Sequence, residues 1–254
     1  MRILFTLCGR AGSKGIKNKN ICTFLNYPLP YHTLAAIQMY CEQHKEHQCD
    51  IALNTDSKEL IEIVCRYKNG ISIVERKEKL AGDVVSKIQV IRDTMEQMEE
   101  KKRYQYDLVV DVDLTSPLRQ GVDLEHLVDK YMQSEFDVVF SVTNARRNPY
   151  FNMVKINQGY CERVIASQFS ARQQAPEIYD MNASMYAYSP AFLRMDKEIF
   201  DGKCGMIEMY DTAVLDLDHT NDLMMMEVIG KYLVEHVEGF KEVYENIPNI
   251  IKER

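Results

Sequence analysis

The feature that most constrains this chain is an apolar run, Ile3-Leu4-Phe5-Thr6-Leu7-Cys8, that breaks at once into Gly9-Arg10-Ala11-Gly12-Ser13-Lys14-Gly15-Ile16-Lys17-Asn18-Lys19-Asn20. A short apolar run bounded by glycine reads as a buried strand. The loop behind it holds three glycines, four cations and a serine in twelve residues. Glycine lets the backbone take positive φ and approach a ligand closely. Backbone N–H groups beside lysines suit a polyphosphate. The combination predicts a cradle for a nucleotide triphosphate at the end of the first strand of an α/β sheet. A solvated basic turn is the plain alternative. The order Gly12-Ser13-Lys14-Gly15 is not that of a P-loop, and the three-residue spacing of Gly9, Gly12 and Gly15 is not that of a dinucleotide fingerprint.

Downstream, strand-like and helix-like segments alternate. Leu29 to Tyr40 has helical periodicity, and Cys49 to Asn54 reads as a strand. Asp56-Ser57-Lys58-Glu59 is a helix-start signal, with the helix running to about Asn69-Gly70. Ile71 to Val74 is a strand, Val84 to about Lys101 a helix, and Leu108 to Val112 a strand. Ser116-Pro117 then predicts a helix start, with Ser as cap and Pro in the first turn. Asp137 to Val142 is again a strand. This alternation predicts a mainly parallel, Rossmann-like sheet with helices on both faces. Ligands in such sheets bind at the carboxyl ends of strands, where the first loop sits.

The pattern breaks at about 144–181, a stretch rich in Arg, Asn, Gln and Tyr. Strands are expected at Met153 to Ile156 and at Val164-Ile165, and alternation resumes at Ala183 to Tyr188. With no repeat or flexible linker, the stretch reads as an insertion in a single domain spanning 1–254. A surface loop region without a partner is the alternative.

A chain of 254 residues can form one large α/β domain burying about 70% of its unfolded surface. With 31 basic and 38 acidic residues, net −7, it is not a generic nucleic-acid binder. Its seven cysteines include no Cys-x-x-Cys pair and read as reduced, mostly buried thiols. No stretch has the length of a membrane span, and the first apolar run is too short for a signal peptide, so a cytoplasmic protein is expected. His44-Lys45-Glu46-His47 lacks the spacing of a zinc helix and reads as a polar helix end. Met224, Met225 and Met226 read as helical core. Cys8 reads as a buried thiol rather than a nucleophile.

A second chemical signal is Asp216-Leu217-Asp218, after the apolar Ala213-Val214-Leu215. In a strand, residues i and i+2 share a face, so the two carboxylates can share a hard cation. Magnesium takes one or two carboxylates plus substrate phosphates. The alternative is that both aspartates cap the helix opening at Thr220-Asn221-Asp222, with His219 as a helix-start contact.

The first loop resembles the opening signature of the acylneuraminate cytidylyltransferases, Ala-Arg-x-x-Ser-Lys-Gly-x-x-x-Lys-Asn. Arg10, Ser13, Lys14, Gly15, Lys19 and Asn20 match in register. Leu114-Thr115-Ser116-Pro117-Leu118-Arg119 resembles the family's Pro-Thr-Ser-Pro-Leu-Arg turn, and Leu80-Ala81-Gly82-Asp83-Val84-Val85-Ser86 its Leu-Ala-x-Asp-x-x-Ser segment. Ala171-Arg172-Gln173-Gln174 resembles an Arg-Gln-Gln element of the insertion. Asn182 matches an Asn before a short strand, and Asp216 and Asp218 the family's metal-binding Asp-x-Asp. The matches keep their order from about residue 2 to 225. Asp113 stands where sialic acid members have Gln. That position, with Arg147-Asn148-Pro149-Tyr150-Phe151-Asn152 and Tyr179-Asp180-Met181-Asn182, is similar to the legionaminic-type branch.

The resemblance implies a nucleotidyltransferase fold whose insertion makes a homodimer contact and helps complete the neighbouring subunit's site. It implies transfer of CMP from CTP to the anomeric hydroxyl of a nine-carbon 2-keto sugar acid, with pyrophosphate leaving. Arg10, Gly12, Ser13, Lys14, Lys19, Asn20 and Ser86 are then expected around the nucleotide. Asp113, Arg172, Gln173 and Asn182 are expected near the sugar, with Arg172 alternatively on the phosphates, and Asp216 and Asp218 on Mg2+. Arg10, Lys14, Lys19, Asp216 and Asp218 form the expected catalytic set, with no general base singled out. Asp111 and Asp113 form a second i, i+2 carboxylate pair that could hold a metal or meet the sugar. Three alternatives remain at this point: a cytidylyltransferase for another keto sugar acid (pseudaminic or eight-carbon), a uridylyl or guanylyl transferase on a sugar 1-phosphate, and a non-catalytic nucleotide-sensing module on the same fold.

Overall fold

A computed structural model describes residues 1–12, 16–82 and 85–252. In chain order the strands and helices are β1 (Arg2–Gly9), β2 (Thr23–Phe24), β3 (Tyr27–Pro28), α1 (Leu29–Gln43), β4 (Gln48–Thr55), α2 (Lys58–Val64), β5 (Ser72–Glu75), α3 (Lys87–Lys102), β6 (Leu108–Val112), α4 (Gly121–Met132), β7 (Val138–Asn144), β8 (Val154–Asn157), β9 (Tyr160–Arg163), β10 (Tyr179–Tyr188), α5 (Pro190–Leu193), β11 (Cys204–Glu208), α6 (Thr220–His236) and α7 (Glu238–Ile250).

Seven strands form one sheet in the order β11-β7-β10-β6-β1-β4-β5. β1 pairs in parallel with β4 and β6, β4 with β5, and β7 with β11. Only β10 runs antiparallel, wedged between β6 and β7. It follows β7 through the 145–178 excursion and returns beside it, a geometry that needs no crossover helix. Alternate side chains of the central strands feed two cores. Ile3, Phe5, Leu7, Leu108, Val110 and Val112 meet α1, α2, α4 and α7. Leu4, Val109 and Ala52 meet α3 and α5. Burial on both faces explains why β1 and β6 are mostly apolar, with Thr6 and Asp111 the buried polar exceptions. The expected α/β sheet with helices on both faces is the one observed.

Several local expectations shift. α2 ends at Val64 rather than near Asn69, because Tyr67 turns into the interior and bridges to Ile251. Its cap is Ser57, whose hydroxyl accepts from Leu60 N at 3.2 Å. Asp56 instead accepts from Ala11 N at 2.7 Å. The helix expected at Ser116 starts at Gly121, with Gln120 N donating to Asp123 Oδ2 at 2.7 Å. In the insertion, the second strand is Tyr160–Arg163, not Val164-Ile165. It pairs with β8 across Gln158 and Gly159, both at positive φ, as a tight hairpin turn requires. The apolar 213–215 stretch is no strand: Asp211–Val214 is a 3-10 helix, followed by irregular chain through Asp218. No cysteine is fully buried, and Cys65 and Cys161 are exposed. Of the three methionines only Met226 is core; Met224 and Met225 are exposed. β11 and α7 had no clear signal. Among the described residues no helix is long and apolar enough to cross a membrane.

The β2–β3 hairpin packs over α1 through His32, whose Nε2 lies 2.9 Å from the Phe24 carbonyl as the donor that oxygen needs. His32 is 3% exposed, and burial pushes it down from 6.5 to about 4. The folded state therefore holds the neutral ring while the unfolded chain takes up a proton below 6.5. This contribution is complete above that pH and is lost as pH falls toward 4. From neutral pH to about pH 5, His32 should cost the protein about 2 kcal/mol of stability. Urea unfolding of wild type and His32→Gln at both pH values checks this. A variant losing as much stability as wild type would place the titration elsewhere.

Candidate functional site

The site lies at the carboxyl ends of β1 and β6, where the chain departs to opposite halves of the sheet. Such a switch point leaves a crevice between diverging loops. The β1 loop is held from several directions. Gly9 is wedged so tightly that an added Cβ would lie 2.6 Å from a Leu60 methyl and 3.0 Å from a Leu114 methyl. Gly12 has φ +72, the left-handed conformation that glycine tolerates. Asn20 Nδ2 donates to the Arg10 carbonyl at 3.0 Å. Asn18 takes a left-handed turn into a 3-10 helix, Lys19–Ile21, which fixes Lys19. Ser13, Lys14 and Gly15, together with Asp83 and Val84 of the Leu-Ala-x-Asp segment, lie outside the described residues.

The resulting cavity, about 480 Å3, is lined by Arg10, Lys19, Asn20, Arg76, Lys87, Asp113 and Asp218, with Cys8, Thr115 and His219 among the others. Cations surround it, and a polyanion entering here would meet them from the loops after β1 and β5 and from the start of α3. Arg76 is anchored by two bonds to Asn54, from Nε to Oδ1 at 2.9 Å and from Nη2 to the carbonyl at 3.2 Å. Cys8 sits beneath, its thiol pushed far up by burial and by Asp111, so it stays protonated and unreactive.

At the end of β6, Asp111 is fully buried and Asp113 is partly exposed to the cavity. Thr6 Oγ1 donates to Asp111 Oδ1 at 2.9 Å. Thr115 donates to Asp113 Oδ1 through both its N–H and hydroxyl, each at 2.7 Å. Lys87 Nζ stands between the two aspartates, 2.7 Å from Asp111 Oδ2 and 2.6 Å from Asp113 Oδ2. Burial would raise the Asp113 carboxyl, but the Lys87 ammonium and the Thr115 bonds outweigh it and hold it down at about 2. Burial likewise opposes the charge on Lys87, yet the two carboxylates keep its pKa well above the ordinary value.

The Asp216–Asp218 segment is brought in by Leu217, which is buried and donates its N–H to the Thr115 carbonyl at 3.0 Å. Asp216 is half-buried and Asp218 exposed. Asp218 Oδ1 pairs with Lys19 Nζ at 2.9 Å, so the two chemical signals of the sequence, first loop and Asp-x-Asp, meet across the cavity mouth. Burial and the neighbouring Asp218 both raise the Asp216 carboxyl. A half-buried carboxylate crowded by a second one is a donor set that a divalent cation relieves, so these residues fit magnesium. The aspartate that caps α6 is Asp222, which accepts from the N–H groups of Asp218 and His219 at 3.0 and 2.6 Å.

Other expected residues lie elsewhere. Ser86 is at the N-cap position of α3, between cavity-lining Val85 and Lys87, and is not itself a lining residue. Arg172 and Gln173 line a separate depression of about 370 Å3 in the insertion, with no lining residue in common. There Arg172 Nη2 donates to the Ala145 carbonyl at 2.9 Å. Asn182 is buried, accepting from Ser141 Oγ at 2.6 Å and donating to Met209 Sδ at 3.2 Å. Lys87 and Arg76 were missed from sequence. The signal available was position: Arg76 follows a parallel strand, and Lys87 follows Ser86 at the start of a helix.

Comparison with known proteins agrees with this geometry. A cytidylyltransferase family profile matches residues 7–237. The chain is 33% identical, over 90% of its length and 95% of the relative's, to a post-translational flagellin modification protein B of Campylobacter coli. It is 30% identical, over 89% of its length and 94% of the relative's, to a CMP-N,N'-diacetyllegionaminic acid synthase of Campylobacter jejuni. A CMP:2-keto-3-deoxy-manno-octonic acid synthetase solved with CTP shares the fold, with a TM-score of 0.63 at 12% identity over 91% of this chain and 99% of that one. The sequence match over nearly the whole chain, on a sheet whose strand ends gather these cations and carboxylates, shows that the chain belongs to the cytidylyltransferase family.

Proposed function

We propose that the chain transfers CMP from CTP to the anomeric hydroxyl of a nine-carbon 2-keto sugar acid of the sialic or legionaminic type. The observation that carries this reading is the cavity itself: Arg10, Lys19, Arg76 and Lys87 gathered against Asp113 and Asp218 at the strand ends. The sugar class comes from the relative named as a CMP-N,N'-diacetyllegionaminic acid synthase.

The acceptor hydroxyl oxygen attacks the α-phosphorus and gives up its proton to water, the bond to the β-phosphate breaks, and pyrophosphate leaves with the electron pair. Such transfers depend on positioning and on neutralising charge. In this reading Arg10 and Lys19, with Lys14, Ser13 and the N–H groups near Gly12, hold the triphosphate and offset charge on the departing pyrophosphate. Asn20 braces the loop through the Arg10 carbonyl. In the same reading Ser86 would touch the nucleotide and Asp113 would face the acceptor. Asp216 and Asp218 would hold magnesium, which when bound would supply neutralising charge to the phosphates. Arg172 and Gln173, separated from the cavity within one chain, act on the acceptor from the partner of a homodimer. The support for a dimer is the β8–β9 hairpin, where Val154, Ile156 and Tyr160 are 65%, 79% and 80% exposed. Scattered exposed apolar residues are ordinary, but three on one hairpin suit a contact between copies.

Pyrophosphate release with CTP and magnesium, across legionaminic, sialic, pseudaminic and eight-carbon keto sugar acids, tests the reaction. Release with a legionaminic or sialic acid, abolished by chelator, is expected. Release only with a sugar 1-phosphate and another nucleotide would overturn the reading, as would none despite CTP binding. Asp218→Asn should lower turnover about 100-fold or more while leaving CTP affinity within about tenfold. Unchanged turnover would remove the metal assignment.

Sedimentation of wild type and Ile156→Lys tests the dimer. Wild type should sediment as a dimer and the variant as a monomer. A monomeric wild type would contradict it.

A further inference from the structure

Asp111 and Asp113 sit at i and i+2 on the end of β6, the spacing at which two carboxylates can grip one cation. Each has one oxygen already committed, Asp111 Oδ1 to Thr6 and Asp113 Oδ1 to Thr115. The two remaining oxygens converge on one point, and Lys87 Nζ occupies it at 2.7 and 2.6 Å. Asp111 Oδ2 is buried and makes no directed hydrogen bond, so its charge is answered there by the ammonium as an ion pair. A buried carboxylate without a counter-charge is strongly unfavourable. The position therefore demands a cation, and the chain supplies its own.

We propose that Lys87 is a built-in cation that takes the place of a divalent ion between Asp111 and Asp113, so that this second carboxylate pair holds no metal. The inference rests on the cavity being a cytidylyltransferase site. Lys87 acts as a positioning residue: it holds Asp113 facing the cavity as a fixed carboxylate and withholds it from metal. The ammonium is tethered at the first residue of α3, so this charge does not vary with the metal concentration around the protein. The high pKa of Lys87 agrees, since the ion remains charged at any working pH.

The test is Mn2+ alone, titrated into the full-length protein and followed by loss of the free-ion electron spin resonance signal, with no nucleotide or sugar present. Wild type should take up no more than one Mn2+ per chain. Asp218→Asn should lose that ion, and Asp113→Asn should keep it. Lys87→Ser should gain a second ion, which Asp113→Asn in the same chain removes. Lys87→Arg should stay at the wild-type count. Two ions on wild type, loss of the ion in Asp113→Asn, or no gain in Lys87→Ser would each overturn the proposal. If Lys87→Ser does not fold, the wild-type count and Asp113→Asn still decide it. Because the readout uses neither CTP nor acceptor, a failed sugar panel leaves this result independent.

Discussion

Buried charge at the end of β6 is the constraint on which the site depends. Arg119 is 1% exposed, yet burial brings its pKa down only to about 10, so it stays charged near neutrality. Each of its three guanidinium nitrogens donates. Nη2 donates to the carbonyls of Asp113 at 2.7 Å and Ser116 at 2.5 Å, Nη1 to Thr33 Oγ1 at 2.9 Å, and Nε to Ser184 Oγ at 3.3 Å. One side chain thus ties the turn after β6 to α1 and to the antiparallel β10. That turn presents Asp113, and its Thr115 carbonyl receives the Leu217 N–H that docks the second acidic segment. Arg119 below and Lys87 above balance Asp111 and Asp113. Removing either cation would leave a carboxylate buried with too little compensation.

The rest of the site follows from topology. The order in which strands are added reverses between the parallel β1 and β6, so the loops after these strands diverge and leave room for a ligand. The first loop brings cations, α3 brings Lys87, and the chain before α6 brings Asp216 and Asp218. None of these segments is near another in sequence. The Lys19–Asp218 ion pair, 199 residues apart in the chain, closes the mouth. It is partly exposed, so it adds little stability by itself. Its importance is that it places a metal-type carboxylate and a phosphate-type cation side by side.

Much of this was legible in the sequence because the relevant signals are local. An apolar run marked β1 as a buried strand, the strand–helix alternation marked β6, and the glycine-rich basic loop marked the ligand end. Misreadings arose where a distant partner overrode a local signal. Ser116-Pro117 looks like a helix start, but Arg119 needs the Ser116 carbonyl, so the chain stays irregular until Gly121. Asp216-Leu217-Asp218 is not a strand, yet burial of Leu217 reproduces the side-to-side alternation a strand would give. The β8–β9 turn was hidden because Gln158, unlike Gly159, is no turn signal. α7 carries Pro248 inside it, which masks a helix whose apolar face packs on α1. The role of Lys87 was beyond reach, since it depends on two aspartates more than twenty residues away.

The most direct measurement is a crystal structure of the protein with CTP and magnesium. The account predicts the triphosphate along the Gly9–Asn20 loop, within reach of Arg10 and Lys19, with metal on Asp216 and Asp218, none between Asp111 and Asp113, and Lys87 still standing between that second pair. Nucleotide bound away from the ends of β1 and β6, for example in the depression beside Arg172, would contradict it.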